Sequence, residues 1–298
     1  MAARDVRLMR LNGLSALITG ATGTLGTALA HRFWQDGASL LLAGRSQSRL
    51  DVLVSSLQTR ALQSVHTIAV DLTEHSATTQ LADFVRSRVG GLDILVNNAA
   101  VQGPIGETWT TDARAWAEAV TADLLAPVDV CRRLLPLTPH RAARGKIINI
   151  SGGGAAAPRP RFGAYAASKA ALVRFSETLA MELAQAGLPV DVNCVAPGAM
   201  NSAMTRQTLA AGALRAGAGE VEAAQRLLDG THEGVHRATD LIAFLASKAS
   251  DGISGRLISA ASDSWDDLPL HAGEIASSDI FTLRRIVPTD RGFSWGDR

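Results

Sequence analysis

Short apolar runs alternate with stretches of helical periodicity over residues 14–258. Residues 14–19 (LSALIT) predict a buried strand, and apolar positions over 25–34 recur at helical spacing. Strands follow at 39–43, 65–70 and 93–96, with a helix at 50–57 between the second and third. A long helical stretch over 112–137 precedes a fifth strand at 146–150. Ala166, Ala170, Val173, Leu179 and Leu183 then mark another helix, followed by a strand at 189–195, a helix at 238–246 and a last short strand at 255–258. Strands alternating with helices of this length predict an α/β fold, a doubly wound parallel sheet with helices on both faces. The polar punctuation falls at the carboxyl ends of the strands, where such sheets bind ligands. It comprises a glycine-rich turn, Gly44-Arg45-Ser46, Asp71-Leu72, Asn97-Asn98-Ala99-Ala100, Ser151 and Pro197-Gly198.

The chemistry concentrates in residues 151–169, SGGGAAAPRPRFGAYAASK. Tyr165 and Lys169 are four apart and therefore lie one turn apart on one helix face. A phenol titrates near ~10, and an ammonium held close favours phenolate and moves that value toward neutrality. The pair reads as a tuned acid/base. Tyr165 is the single tyrosine, and Lys169 is one of three lysines among 29 basic residues, so their meeting at this spacing carries more weight than usual. Alone, it also suits an exposed helix surface.

The turn Thr19-Gly20-Ala21-Thr22-Gly23-Thr24-Leu25-Gly26 joins the first strand to the first helix. Glycines there permit close backbone approach, so the helix N-terminus can receive a pyrophosphate. After the second strand stands Arg45, with no acid at Ala43, Gly44 or Ser46. An Arg suits a 2′-phosphate where a carboxylate would take ribose hydroxyls, so NADP(H) is favoured over NAD(H).

Composition narrows the class. At 298 residues the chain can form one large α/β domain or two small ones. A net charge of +1 without long like-charge runs implies neither nucleic acid nor an anionic membrane as partner. No apolar run reaches membrane-spanning length, and the charged first ten residues do not form a secretory signal. Cys131 and Cys194 lack metal-ligand spacing and read as buried thiols of a reducing compartment, which points to a cytoplasmic protein without a metal site. Residues 202–234, rich in Ala and Gly with weak helical patterning, read as a mobile lid. The only composition shift comes after about Ala260. The expected division is therefore a domain over 1–260 and an extension over 261–298. Trp265, Phe281, Leu283, Ile286 and Trp295 make that extension too apolar for a free tail, so it should pack on the body or a neighbouring subunit.

Together, TGATGTLG at 19–26, Asp71, NNAA at 97–100, INIS at 148–151, YAASK at 165–169 and PGAMNSAM at 197–204 resemble the short-chain dehydrogenase/reductase family over residues 11–258. The resemblance implies a single Rossmann-type domain and hydride transfer between a nicotinamide and a carbonyl or secondary alcohol carbon. Tyr165 would be the acid/base, Lys169 would tune it and hold the nicotinamide ribose, and Ser151 would bind the substrate oxygen. Gly20, Thr22, Leu25 and Gly26, with Gly23 and Thr24 in the same turn, would cradle the pyrophosphate. Arg45 and Ser46 would meet the 2′-phosphate, Asp71 and Leu72 the adenine, and Asn98 and Ala99 the adjoining ribose. Pro197, Gly198, Met200 and Ser202 would lie along the nicotinamide. The family also implies a homodimer or homotetramer, formed through the helices that contain Asp123 and Tyr165.

Four departures qualify this reading. The glycines stand at 20, 23 and 26, a spacing more usual in sugar-nucleotide enzymes of the superfamily. The family's serine often lies thirteen residues before the tyrosine, which is Gly152 here; Ser151 is fourteen before, and the run Gly152-Gly153-Gly154 is expected to absorb the slip. The family's helix asparagine is Asp123, whose carboxylate could oppose phenolate formation unless it pairs with Arg132 or Arg133. The extension adds Arg284 and Arg285, candidates for an acidic substrate group. Two alternatives stay open: a nicotinamide-binding regulatory or scaffold protein with little turnover, and a sugar-nucleotide enzyme.

Overall fold

The computed structural model describes residues 10–58, 60–230 and 233–295. Seven parallel strands form one sheet in the order β3-β2-β1-β4-β5-β6-β7. They are β1 (Ser15–Thr19), β2 (Ser39–Gly44), β3 (Val65–Ala69), β4 (Ile94–Asn97), β5 (Gly145–Ile150), β6 (Val190–Ala196) and β7 (Arg256–Ser259). Both faces are covered, which is why the strands read as continuous apolar runs. Ile18, Leu42, Val96 and Ile148 pack into one core, while their neighbours Leu17, Leu41, Leu95 and Ile147 pack into the other. The period of two along each strand thus feeds two separate cores. The fold is the doubly wound α/β architecture expected from the alternation of elements.

The covering helices are α1 (Thr24–Gln35), α2 (Gln47–Ser56), α3 (Ala77–Val89), α4 (Ala113–Val120), α5 (Ala126–Leu134), α6 (Gly163–Gln185), α7 (Ala203–Ala216), α8 (Ala218–Asp229), α9 (Glu233–Leu245) and the short α10 (Ala272–Ala276). Between α4 and α5 the helix continues through a π turn, Thr121–Leu125. The long stretch expected over 112–137 is therefore one helical rod with a bulge at Asp123. Residues 203–229 form two definite helices instead of weakly patterned chain. Gly212, with φ 70°, interrupts α7, and Gly217, with φ 94°, separates α7 from α8. The high helix propensity of alanine builds the helices, and the two glycines break their periodicity in the sequence. The three residues 231–233 at the end of the expected lid lie outside the described side chains.

At the amino ends of the strands, buried charges tie the sheet together. Lys146 on β5 contacts Asp191 on β6 at 2.8 Å and Asp251 at 2.8 Å, and Arg144 forks onto the same Asp191. The first part of the extension packs on the body of its own chain, whereas Ile286 and Trp295, also expected to pack, are exposed. Trp265, Leu268 and Ile275 are buried against the first core, with the Trp265 ring 5.9 Å from that of Phe244. The backbone N–H of Leu257 on β7 donates to Phe281 O at 2.8 Å, and the Arg256 guanidinium donates to Ser278 O, Ile280 O and Ile275 O. The Leu257 bond occupies part of the β7 edge, which would otherwise be open to pairing, and the Arg256 bonds hold the extension beside it. No helix among the described residues is long and apolar enough to cross a membrane.

Candidate active site

The carboxyl ends of the strands open into a cavity of about 1240 Å³. The catalytic and cofactor-binding residues expected from the sequence line it, except Gly26, which packs against Gly20, and Asp123, which faces Lys169.

At one end is the turn after β1. Gly20 has φ 61°, and a methyl group on it would lie 2.8 Å from Ala99 Cα. A methyl group on Gly26 would lie 2.8 Å from Ala21 Cα, so both glycines are required by close backbone approach. Thr19 Oγ1 accepts the N–H groups of Asn98 (3.0 Å) and Ala99 (3.1 Å), and the Asn98 amide donates back to Thr19 O and Gly20 O. The NNAA segment therefore braces the turn. Asn98, expected at a ribose, uses its side-chain amide on this brace. Gly23 supplies no side-chain cap, which leaves the first N–H groups of α1 without a side-chain acceptor. The 20, 23, 26 spacing thus still closes a cradle that fits a pyrophosphate.

Beside the turn, Arg45 stands exposed on the cavity wall with Ser46, which caps α2 through Arg49 N–H. Arg49 also lines the cavity and donates from Nη2 to Thr22 O at 2.8 Å. Asp71 accepts both the N–H (3.0 Å) and the hydroxyl (2.8 Å) of Thr73; these bonds, helped by Arg45, hold its carboxyl below the usual range. The guanidiniums of Arg45, just before the Ser46 cap, and Arg49, in the first turn of α2, form a cationic corner on the cavity wall. Further along, Thr24 Oγ1 donates to Asn201 O at 3.3 Å, and Ser202 caps α7 through Thr205 N–H, which joins the turn to the Pro197–Ser202 wall.

At the other end stand Tyr165 and Lys169, both on α6 and both buried. Lys169 Nζ donates to Ile150 O at 3.0 Å and faces Asp123 Oδ2 at 4.0 Å. Asp123 is fully buried; its Oδ1 accepts Val101 N–H at 2.8 Å and its Oδ2 has no hydrogen-bond partner. Burial pushes the Asp123 carboxyl up and the Lys169 ammonium down, each opposed by the other's charge. The arginines that were the alternative partners of Asp123 bind Asp129 instead, Arg133 at 2.9 Å and Arg132 at 3.2 Å. Those two side chains lie on α5 within one turn of Asp129, whereas Asp123 points inward from the π turn.

The Tyr165 phenol is pushed up to about 12, by burial first and then by the Asp123 carboxylate, with Arg159 opposing. This is the reverse of the direction expected from Lys169 alone. The ammonium directs its charge at Ile150 O and Asp123, and its Nζ lies 5.6 Å from the ring centroid. Gly152 lies against the Tyr165 hydroxyl, since a methyl group on it would stand 2.2 Å from that oxygen, and Ser151 lines the same cavity. The Ser151 N–H continues the ladder to Val195 O at 2.8 Å, while its Oγ is buried without a hydrogen-bond partner.

Three contributors escaped sequence reasoning. Arg49 follows Arg45 by four residues, at the start of the helix after the second strand, and its charge beside Arg45 could have flagged it. Arg159 and Glu220, both on the cavity wall, pair across 61 residues, and no local pattern announces this. Arg284, a candidate for substrate contact although such arginines more often are solvated or bridge subunits, binds Asp279 at 3.0 Å and Asp290, and neither it nor Arg285 lines the cavity. Both cysteines are free and buried, their thiols pushed up to about 12 mainly by burial, which leaves them unreactive.

Comparison with known proteins agrees with this geometry. The family model described as short chain dehydrogenase matches residues 15–212. Human dehydrogenase/reductase SDR family member 4 is 32% identical over 191 residues, which is 64% of this chain and 67% of the relative. An uncharacterized oxidoreductase of Mycobacterium tuberculosis is 31% identical over 255 residues, covering 84% of this chain and 92% of the relative. Among solved structures, the Pseudomonas aeruginosa RhlG/NADP active-site complex is similar with a TM-score of 0.72 and 26% identity, covering 84% of this chain and 95% of that one.

Proposed function

The chain belongs to the short-chain dehydrogenase family of nicotinamide-dependent oxidoreductases, and on that premise we propose that it interconverts a ketone and a secondary alcohol with NADP(H) preferred over NAD(H). The observation that carries this reading is the placement of Tyr165 and Lys169, one turn apart, in the same cavity as the Gly20 turn. A nicotinamide bound there would exchange hydride with the substrate carbon.

The residues of the chain supply the rest. Tyr165 gives its proton to the carbonyl oxygen in reduction and takes it back in oxidation. Lys169, fixed by Ile150 O and Asp123, holds the nicotinamide ribose. Ser151, whose Oγ has no protein partner, donates to the substrate oxygen; a buried hydroxyl left unpaired costs roughly 1–3 kcal/mol, which the substrate would recover. Arg45 and Arg49 hold the 2′-phosphate, and RhlG in complex with NADP supports that cofactor. The helices α7 and α8 form the lid over the substrate. The active unit is a homodimer or homotetramer joined through the α4–π turn–α5 rod and α6, on which Leu125 of the π turn and Met181 of α6 are exposed. A phenol held at about 12 favours a second reading, cofactor binding with little turnover.

The test is a panel of ketones and secondary alcohols with NADPH and NADP⁺, run on wild type and Tyr165→Phe. Turnover in wild type that falls by about 10²–10⁴-fold in the variant, with NADPH binding kept, is expected. Equal turnover in both would remove Tyr165 as the acid/base, and tight NADPH binding with no turnover in either would select the second reading.

A further inference from the structure

Tyr165 is surrounded by charges from four elements. Asp123 comes from the π turn, Lys169 from one turn further along α6, Arg159 from the loop between β5 and α6, and Glu220 from α8 through Arg159. Cys194 on β6, beside Lys169, is a protonated thiol and carries no charge. Lys169 is countered by Asp123 from behind. Arg159 is placed otherwise. Its guanidinium stacks 3.9 Å over the Phe162 ring and stands 6.0 Å from the Tyr165 ring centroid, on the wall of the cavity. Glu220 takes both arms of the fork, Nε to Oε1 at 2.9 Å and Nη2 to Oε2 at 2.7 Å. The Tyr165 hydroxyl makes no hydrogen bond among the described residues, so its protonation state responds to these through-space charges.

We propose that Arg159 is a positioning residue for the proton chemistry, supplying the positive charge felt by the Tyr165 phenol, and that Glu220 on α8 sets how much of that charge arrives. The proposal rests on the reading of Tyr165 as the acid/base. Three observations support it: the stacked and forked geometry that fixes Arg159, its presence in the same cavity as the phenol, and its being the cation that opposes burial and Asp123 at Tyr165. A charge at this separation moves a phenol by about 0.5–2 units for an effective dielectric between roughly 80 and 20. Because Glu220 lies just beyond the positive-φ Gly217, displacement of α8 about that glycine would uncover Arg159 and make Tyr165 a stronger acid. The position of the lid would then be coupled to the acidity of the site.

The single tyrosine makes this directly measurable, because the phenolate ultraviolet absorbance of the native chain reports Tyr165 alone. Free protein is titrated by rapid pH jump, read before alkaline unfolding, in wild type, Arg159→Gln, Arg159→Lys and Glu220→Gln. The expected order places the Glu220→Gln midpoint about one unit below wild type and Arg159→Gln above it, with Arg159→Lys between wild type and Arg159→Gln. Shifts of Arg159→Gln and Glu220→Gln in the same direction, or no shift in either, would overturn the proposal. If Arg159→Gln fails to fold, Glu220→Gln decides alone, and a midpoint at or above wild type rejects the role. The titration needs no substrate. An active enzyme with unmoved midpoints therefore overturns Arg159 only, whereas moved midpoints in a protein without turnover overturn the acid/base reading on which the role depends.

Discussion

Substituting Gly152 by alanine tests where the reacting hydroxyl sits. Gly152 does not have a positive φ, so alanine is compatible with the backbone there. The obstacle is the phenol, since the added methyl carbon would lie 2.2 Å from the Tyr165 hydroxyl oxygen and 3.0 Å from Cζ. Nonbonded carbon atoms prefer roughly 3.5 Å or more. The hydroxyl must therefore withdraw by about 1 Å, either by tilting the buried ring or by moving the loop. A misplacement of about 1 Å costs on the order of 10²-fold in turnover, equivalent to about 2.7 kcal/mol of barrier. The Gly20 turn is not touched, so cofactor affinity should stay within about twofold, and the loss should appear in kcat and kcat/KM. The assay is steady-state kinetics on the best substrate from the panel, paired with NADPH titration by nicotinamide fluorescence. Gly152→Ser carries the same carbon and should behave alike, so adding a serine there does not restore the common family pattern. Turnover within twofold of wild type in Gly152→Ala would refute the reasoning. Tyr165→Phe then shows which part failed: loss of activity in that variant would mean the hydroxyl lies elsewhere, and retention would mean another group moves the proton.

The cationic corner and the carboxylate behind Lys169 make two further predictions. Arg45→Ala should weaken NADPH by about tenfold while leaving NADH unchanged, and adding Arg49→Ala should weaken NADPH further. Charge-assisted bonds contribute ~1.5–3 kcal/mol, and exposure together with salt reduces this, so the difference should shrink as ionic strength rises. Parallel titrations with both cofactors check it, and an equal loss for NADH would remove the 2′-phosphate reading. Asp123→Asn keeps an oxygen for Val101 N–H but removes the negative charge that, after burial, raises the Tyr165 phenol. Alcohol oxidation needs phenolate and rises with pH through the tyrosine pKa, so lowering that pKa moves the rising limb to lower pH, by roughly one unit. A pH–rate profile that stays in place or moves upward would show that the Asp123 charge does not reach Tyr165.

Much of this architecture could be read from local pattern. A strand buried on both faces is mostly apolar, so β1, β2 and β4 stand out as runs, β5 and β6 show through despite buried pairs such as Lys146 and Asp191, and the polar residues that end them mark the ligand side of the sheet. The Tyr165 and Lys169 spacing is equally local, because helix geometry places residues four apart on one face whatever surrounds them. The close approach of Gly20 and Gly26 to backbone is likewise announced by glycine alone. What the pattern could not carry is charge environment. Whether Asp123 pairs with Arg133 or faces Lys169 depends on a π turn and on packing between segments 46 residues apart, and burial decides which protonation state each group prefers. The bond between Arg159 and Glu220 joins a loop to a helix across 61 residues, with no period to betray it. The contact of Gly152 with the Tyr165 hydroxyl likewise depends on the path of the loop after β5, which no local spacing fixes. Electrostatic energies depend on distance and dielectric in three dimensions, so the Tyr165 and Lys169 pairing was legible in one dimension and its charge environment only in the folded chain.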